Sequence, residues 1–163
     1  MNEGVIMQLF KKRSLLLGVI ISIIVLILLV VLYNVKKNNV LFQSSYENYA
    51  WNNRSYGYKI YRNGVISEYD DYDHSRQLKS AKITNEELIQ LKELVNMVKD
   101  KYEVESGSVH TIDAGVTTVK VYSSKLSKWV ILSRHGDQVG VNSSDVSQEI
   151  LEFTNQLYNK YLY

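Results

Sequence analysis

The chain has 163 residues, no cysteine and no proline, and 19 basic against 17 acidic side chains, for a net charge of +2. Without cysteine, thiol catalysis, thiolate zinc sites and iron–sulfur clusters are excluded. Lys11, Lys12, Arg13, Lys36 and Lys37 flank one apolar run, and the remainder is mildly acidic. Such a chain lacks the basic footprint that releases counterions from phosphates, which excludes nucleic acid as a partner.

The apolar run is Ser14–Tyr33, SLLLGVIISIIVLILLVVLY, and it holds no charge. At about 1.5 Å per residue, some 20 helical residues span roughly the 30 Å hydrocarbon core of a bilayer. A cleaved secretory signal has a shorter core and a small-x-small cleavage site. Here Asn34-Val35-Lys36-Lys37-Asn38-Asn39 follows instead. A lipoprotein signal would need a cysteine to carry the lipid. The run therefore reads as an uncleaved single-pass anchor. Three basic residues before it against two after it favour a cytoplasmic N-terminus. The expected layout is a cytoplasmic tail over residues 1–13, a transmembrane anchor over 14–33, a stalk over 34–53 and an extracytoplasmic domain over 54–163.

Within that domain, Tyr58–Arg62 and Val65–Tyr69 flank Asn63-Gly64, the pair suited to a type I′ hairpin turn. This turn sets Lys59 opposite Glu68, Tyr61 opposite Ile66 and Tyr58 opposite Tyr69. A helix follows. Thr84 and Glu87 form a capping box, and Ile83 with Leu88 a hydrophobic staple. Leu88, Leu91, Leu94, Val95, Val98 and Tyr102 make its buried stripe. Three strands come next, over Val116–Ser123, Trp129–Ser133 and Gln138–Asn142. A two-residue turn at His135-Gly136 would set Arg134 across from Asp137, Leu132 across from Val139 and Val130 across from Val141. The last helix starts near Ser144 or Asp145 and buries Val146, Ile150, Phe153, Leu157 and Tyr161.

The predicted fold class is α+β: an N-terminal transmembrane helix, then an antiparallel sheet with two helices in the order ββ-α-βββ-α. Packing both helices on one face buries both apolar stripes. The α-βββ-α portion resembles a double-stranded-RNA-binding domain in element order only, and element order does not license function.

Several residues invite chemical roles. Val130-Ile131-Leu132-Ser133-Arg134-His135-Gly136 resembles the strand-then-RHG start of histidine phosphatases, in which the histidine is phosphorylated and the arginine binds phosphate. That family also needs a second arginine and histidine, and no histidine follows His135. A small envelope hydrolase or phosphatase centred on Arg134-His135-Gly136 is thus the alternative to a turn. Asp70, Asp71, Asp73 and His74 offer carboxylates to a hard cation but lack the spacing of an EF-hand loop, so a solvated turn is expected. Tyr46, Tyr49, Trp51 and Tyr56 are the candidate binding residues, because tyrosine and tryptophan suit sugar rings and protein interfaces. No catalytic residue, metal or cofactor is expected.

The stretch Asp113–Tyr158, DAGVTTVKVYSSKLSKWVILSRHGDQVGVNSSDVSQEILEFTNQLY, resembles uncharacterised membrane-anchored extracytoplasmic domains of low-GC Gram-positive bacteria. That resemblance implies an envelope location and brings no activity. The expected function is a membrane-tethered, non-enzymatic binding or accessory module. Its partner would be an envelope protein or a cell-wall component such as glycan, an immunity-type role included.

Overall fold

The computed structural model describes residues 18–30, 32, 39–48, 54–105 and 115–163. The chain divides into two compact units, Met1–Asn38 and Asn39–Tyr163. In the first, residues 18–30 form a helix, α1, whose apolar side chains are exposed. Its described length is roughly 20 Å. Among the described residues no helix is long and apolar enough to cross a membrane. The rest of the 14–33 run, Leu32 apart, lies outside them.

Among its described residues, the second unit is one antiparallel sheet of eight strands with two helices. Its strands are β1 (Val40–Asn48), β2 (Arg54–Tyr61), β3 (Val65–Asp70), β4 (Ser80–Lys82), β5 (Tyr102–Val104), β6 (Val116–Ser123), β7 (Lys128–His135) and β8 (Gly140–Asn142). Helix α2 (Asn85–Met97) falls between β4 and β5, and α3 (Asp145–Tyr161) follows β8. Across the sheet the order is β4-β3-β2-β1-β6-β7-β8-β5. The α+β class and antiparallel sheet match expectation. The order ββ-α-βββ-α does not, because β1, β4 and β5 are additional strands.

The most consequential difference is β1. Residues 40–48 fall in the segment assigned to a stalk, yet they form the strand between β2 and β6, at the centre of the sheet. Its register is irregular between Val40 and Phe42, and the consecutive Leu41 and Phe42 are both buried. A bulge of this kind breaks the two-residue period by which a strand is recognised.

Both helices pack on one face. Leu91, Leu94 and Val95 of α2 and Ile150 and Leu157 of α3 join Phe42, Ile60, Ile66, Val121, Val130 and Leu132 in a single core. Helix α2 carries the expected capping box: Glu87 N–H donates to Thr84 Oγ1 at 3.2 Å, and Thr84 N–H donates to Glu87 Oε2 at 2.8 Å. It ends at Met97, so Tyr102, assigned to its stripe, lies in β5 instead. The fully buried seam of α3 is Ser147, Ile150, Thr154 and Leu157. Val146, Phe153 and Tyr161 are only half-buried against it.

Both hairpins differ in register from the sequence expectation. The β2–β3 turn has three residues, Arg62-Asn63-Gly64, and Gly64 N–H donates to the Tyr61 carbonyl at 2.9 Å. Gly64 has φ +84°, whereas Asn63 is not among the positive-φ residues, so this is not a type I′ turn. A three-residue loop ending on a left-handed glycine moves the register by one. Tyr58 therefore faces Glu68, and Ile60 faces Ile66. At β7–β8, Arg134 pairs with Gly140 and Ser133 with Val141. The loop spans residues 136–139, with His135 the last residue of β7, and the expected two-residue turn at His135-Gly136 is not formed.

The other face of the sheet bears Gln43, Lys59, Tyr69, Lys120, Tyr122 and Trp129 and is covered by neither α2 nor α3. Here Lys59 Nζ sits 4.1 Å from the Tyr69 ring centroid and Lys120 Nζ 5.2 Å from that of Trp129.

Candidate functional site

On the helix-bearing face, α3 and strands β1, β2 and β6 bound a cleft of about 400 Å³. Its floor is built from alternate residues of three strands: Phe42 and Ser44 of β1, Tyr56 and Tyr58 of β2, and Val119 of β6. These alternate positions point to one side of the sheet. Leu151, Thr154, Asn155 and Tyr158 of α3 form a wall, and Glu68 and Arg76 close the third side.

Aromatic rings dominate the lining. Tyr58 lies against Phe42 at 5.4 Å between centroids and against Tyr158 at 4.8 Å, both tilted. These separations fall in the favourable range for aromatic pairs. The Tyr58 hydroxyl donates to the Thr154 carbonyl at 3.4 Å, and burial pushes its pKa up to about 12, so it stays a neutral donor. At the cleft mouth, Tyr56 pairs across β1–β2 with Tyr46, their rings 4.9 Å apart. Arg54 covers the outer side of Tyr56 at 4.9 Å and reaches the Tyr72 ring at 5.6 Å.

The polar groups are few and fixed. Glu68 is buried and accepts from Arg76 Nη2 at 3.1 Å and from the Lys79 backbone N–H at 3.0 Å. Arg76 is about half exposed, which leaves the rest of its guanidinium fork available to a ligand. Asn155 adds an exposed amide, and Ser44 a hydroxyl. A concave, mainly apolar and aromatic site with a few placed polar groups is the usual form of a small-ligand site.

Of the four candidate binding residues, Tyr56 lines this cleft, and Tyr46 reaches it only through its ring contact with Tyr56. Tyr49 and Trp51 lie outside the described residues. Sequence reasoning missed Glu68, Arg76, Tyr158 and Asn155. The signal for Glu68 was an acid at a core-facing position of a strand, between Ile66 and Asp70, and it was hidden by the one-residue register difference.

The other sequence candidates have structural occupations. Asp70 is buried and accepts from the backbone N–H groups of Tyr72 and Asp73, each at 3.0 Å, and from Arg54 at 3.4 Å. The Asp73 N–H bond foremost holds its carboxyl below the usual range, against burial. Asp73 in turn accepts from Ser75 N–H and Oγ. These carboxylates organise the β3–β4 loop, and no metal-binding group of three such side chains occurs among the described residues. Arg134 donates twice to Asp137, at 3.0 and 2.8 Å, and His135 is exposed.

No family model, no curated protein and no solved structure matches the chain.

Proposed function

We propose that this chain is a membrane-tethered, non-enzymatic recognition module, anchored through residues 14–33, with its folded unit on the extracytoplasmic side. The cleft between the sheet and α3 is its recognition site, and a fragment of cell-wall glycan is the ligand it suits best. One observation carries this reading: Tyr56, Tyr58 and Tyr158 line the same cleft as the Glu68–Arg76 pair. Tyrosine faces stack on the apolar faces of sugar rings, while a fixed carboxylate, guanidinium and amide match ring hydroxyls and N-acetyl groups. Tethering raises the effective concentration of such a site toward nearby wall polymer without new contacts.

The test is an NMR titration of residues 39–163 with solubilised wall glycan fragments. Perturbations should gather at Tyr56, Tyr58, Asn155 and Tyr158. Tyr56→Ala should weaken binding roughly tenfold or more, since truncating an aromatic anchor removes most of its contribution. Shifts scattered over the surface, or binding indifferent to Tyr56→Ala, would remove the cleft from this role.

A further inference from the structure

The folded unit is electrically polarised along its strands. At the end where the chain enters, β1 begins at Val40, β2 ends at Tyr61, β4 ends at Lys82, β6 ends at Ser123 and β7 begins at Lys128. This end carries Arg62, Lys82, Lys125 and Lys128. The opposite end carries Glu47, Asp70, Asp71, Asp73 and Asp137, and its arginines are each in an ion pair: Arg54 with Asp70, Arg76 with Glu68 and Arg134 with Asp137. At the entry end Lys128 pairs with Asp100, whereas Lys82 and Lys125 are exposed with no ion pair among the described residues. Two acids, Glu86 and Glu87, begin α2 behind this rim, and Glu87 is held by Lys160.

The rim also has an apolar, aromatic component. The β6–β7 turn, residues 124–127, projects Leu126, 38% exposed, between Lys125 and Lys128. Behind it, Tyr122 and Trp129 meet edge-to-face at 5.7 Å, with the Arg62 guanidinium 5.5 Å from the Tyr122 ring centroid. Lysines around a leucine tip, backed by tryptophan and tyrosine, are the composition of a surface that sits at lipid headgroups.

We infer that this entry rim, centred on Lys82, Lys125, Leu126 and Trp129, docks on an anionic phospholipid surface. The inference rests on the anchor reading above. Six residues, 34–39, separate the apolar run from β1, and that length of chain reaches at most about 20 Å. A rim tethered within that reach samples the bilayer surface at high effective concentration. Docking turns the acidic end outward, and with it the Tyr46–Tyr56 mouth of the cleft. The lipid thus acts as an orienting ligand.

The experiment uses the full chain with Trp51→Phe, so that Trp129 is the only tryptophan, in nanodiscs of phosphatidylcholine with or without phosphatidylglycerol. Quenching of Trp129 by headgroup-nitroxide lipid reports docking. We expect stronger quenching in the anionic discs, reversed by salt. Lys82→Glu and Lys125→Glu should each weaken the docked state roughly tenfold or more, because each reversal changes the charge by two and one surface charge is worth roughly fivefold. Retention in discs with quenching insensitive to lipid charge and to both reversals overturns the docking alone. A chain that fails to enter discs of either composition overturns the anchor and the docking together.

Discussion

Gly57 has no room for a side chain. A Cβ placed there would lie 2.0 Å from the Ser44 carbonyl oxygen and 3.1 Å from Ser45 Cα, both backbone atoms of the neighbouring strand. That close approach lets β2 lie flat against β1 where Tyr56 and Tyr58 enter the cleft. Gly57→Ala should therefore cost at least about 2 kcal/mol by urea unfolding, because β1 or β2 must move. Arg76→Ala is expected to cost less. Glu68 keeps the Lys79 N–H, and Arg76 is about half exposed, so solvent screens much of the pair. About 1 kcal/mol is expected, together with weakened ligand binding. Equal losses of stability in the two variants would mean that the Glu68–Arg76 pair is primarily structural.

At the scale of elements, α2 and α3 are joined through one carboxylate. Glu87 closes the capping box and also accepts from Lys160 Nζ at 2.8 Å and from the Tyr161 hydroxyl at 2.8 Å. Partial burial opposes its charge, but the bonds from Lys160, the Thr84 backbone and Tyr161 prevail and lower its pKa to about 2. The unfolded chain returns it to its ordinary value near 4.5. The folded pKa is the lower one, so the stabilisation is complete above about pH 4.5 and fades as pH falls toward 2. Glu87→Gln should be less stable than the parent by about 1–2 kcal/mol at pH 7. The difference should shrink through that acid window in urea melts at stepped pH, and a gap constant from pH 7 to 2 would contradict the assignment. This element was legible because Thr-x-x-Glu and the leucine spacing depend only on local chain geometry. The sheet was less so. Strands β4 and β5 have three residues each, too few to display a period. The two hairpin registers depended on loop lengths that a turn dipeptide does not fix. The cleft was partly legible, since Tyr56 stood out by type, while Glu68, Arg76 and Tyr158 meet only through long-range packing.

For the folded unit as a whole, the decisive element is β1. It pairs along nearly its entire length with β2 and over residues 42–47 with β6. It therefore joins the β2–β3–β4 half of the sheet to the β6–β7–β8–β5 half. Its polar residues Gln43, Ser45 and Glu47 face the side that α2 and α3 leave uncovered, which is why the segment reads as a stalk. Leu41 and Phe42 are nonetheless 2% and 1% exposed. A chain beginning at Asn39 retains all eight strands and the whole core, and it should unfold in one cooperative transition. A chain beginning at residue 50 loses both central ladders and two large core side chains. Each buried large apolar side chain is worth about 1.5–3 kcal/mol, and a domain of this size has only about 5–15 kcal/mol in hand. With the unpaired edges of β2 and β6 exposed as well, the shorter chain should aggregate or lack cooperative unfolding. Circular dichroism with thermal melts of the two chains decides the matter. A cooperative transition in the shorter one would return residues 40–48 to the role of a stalk.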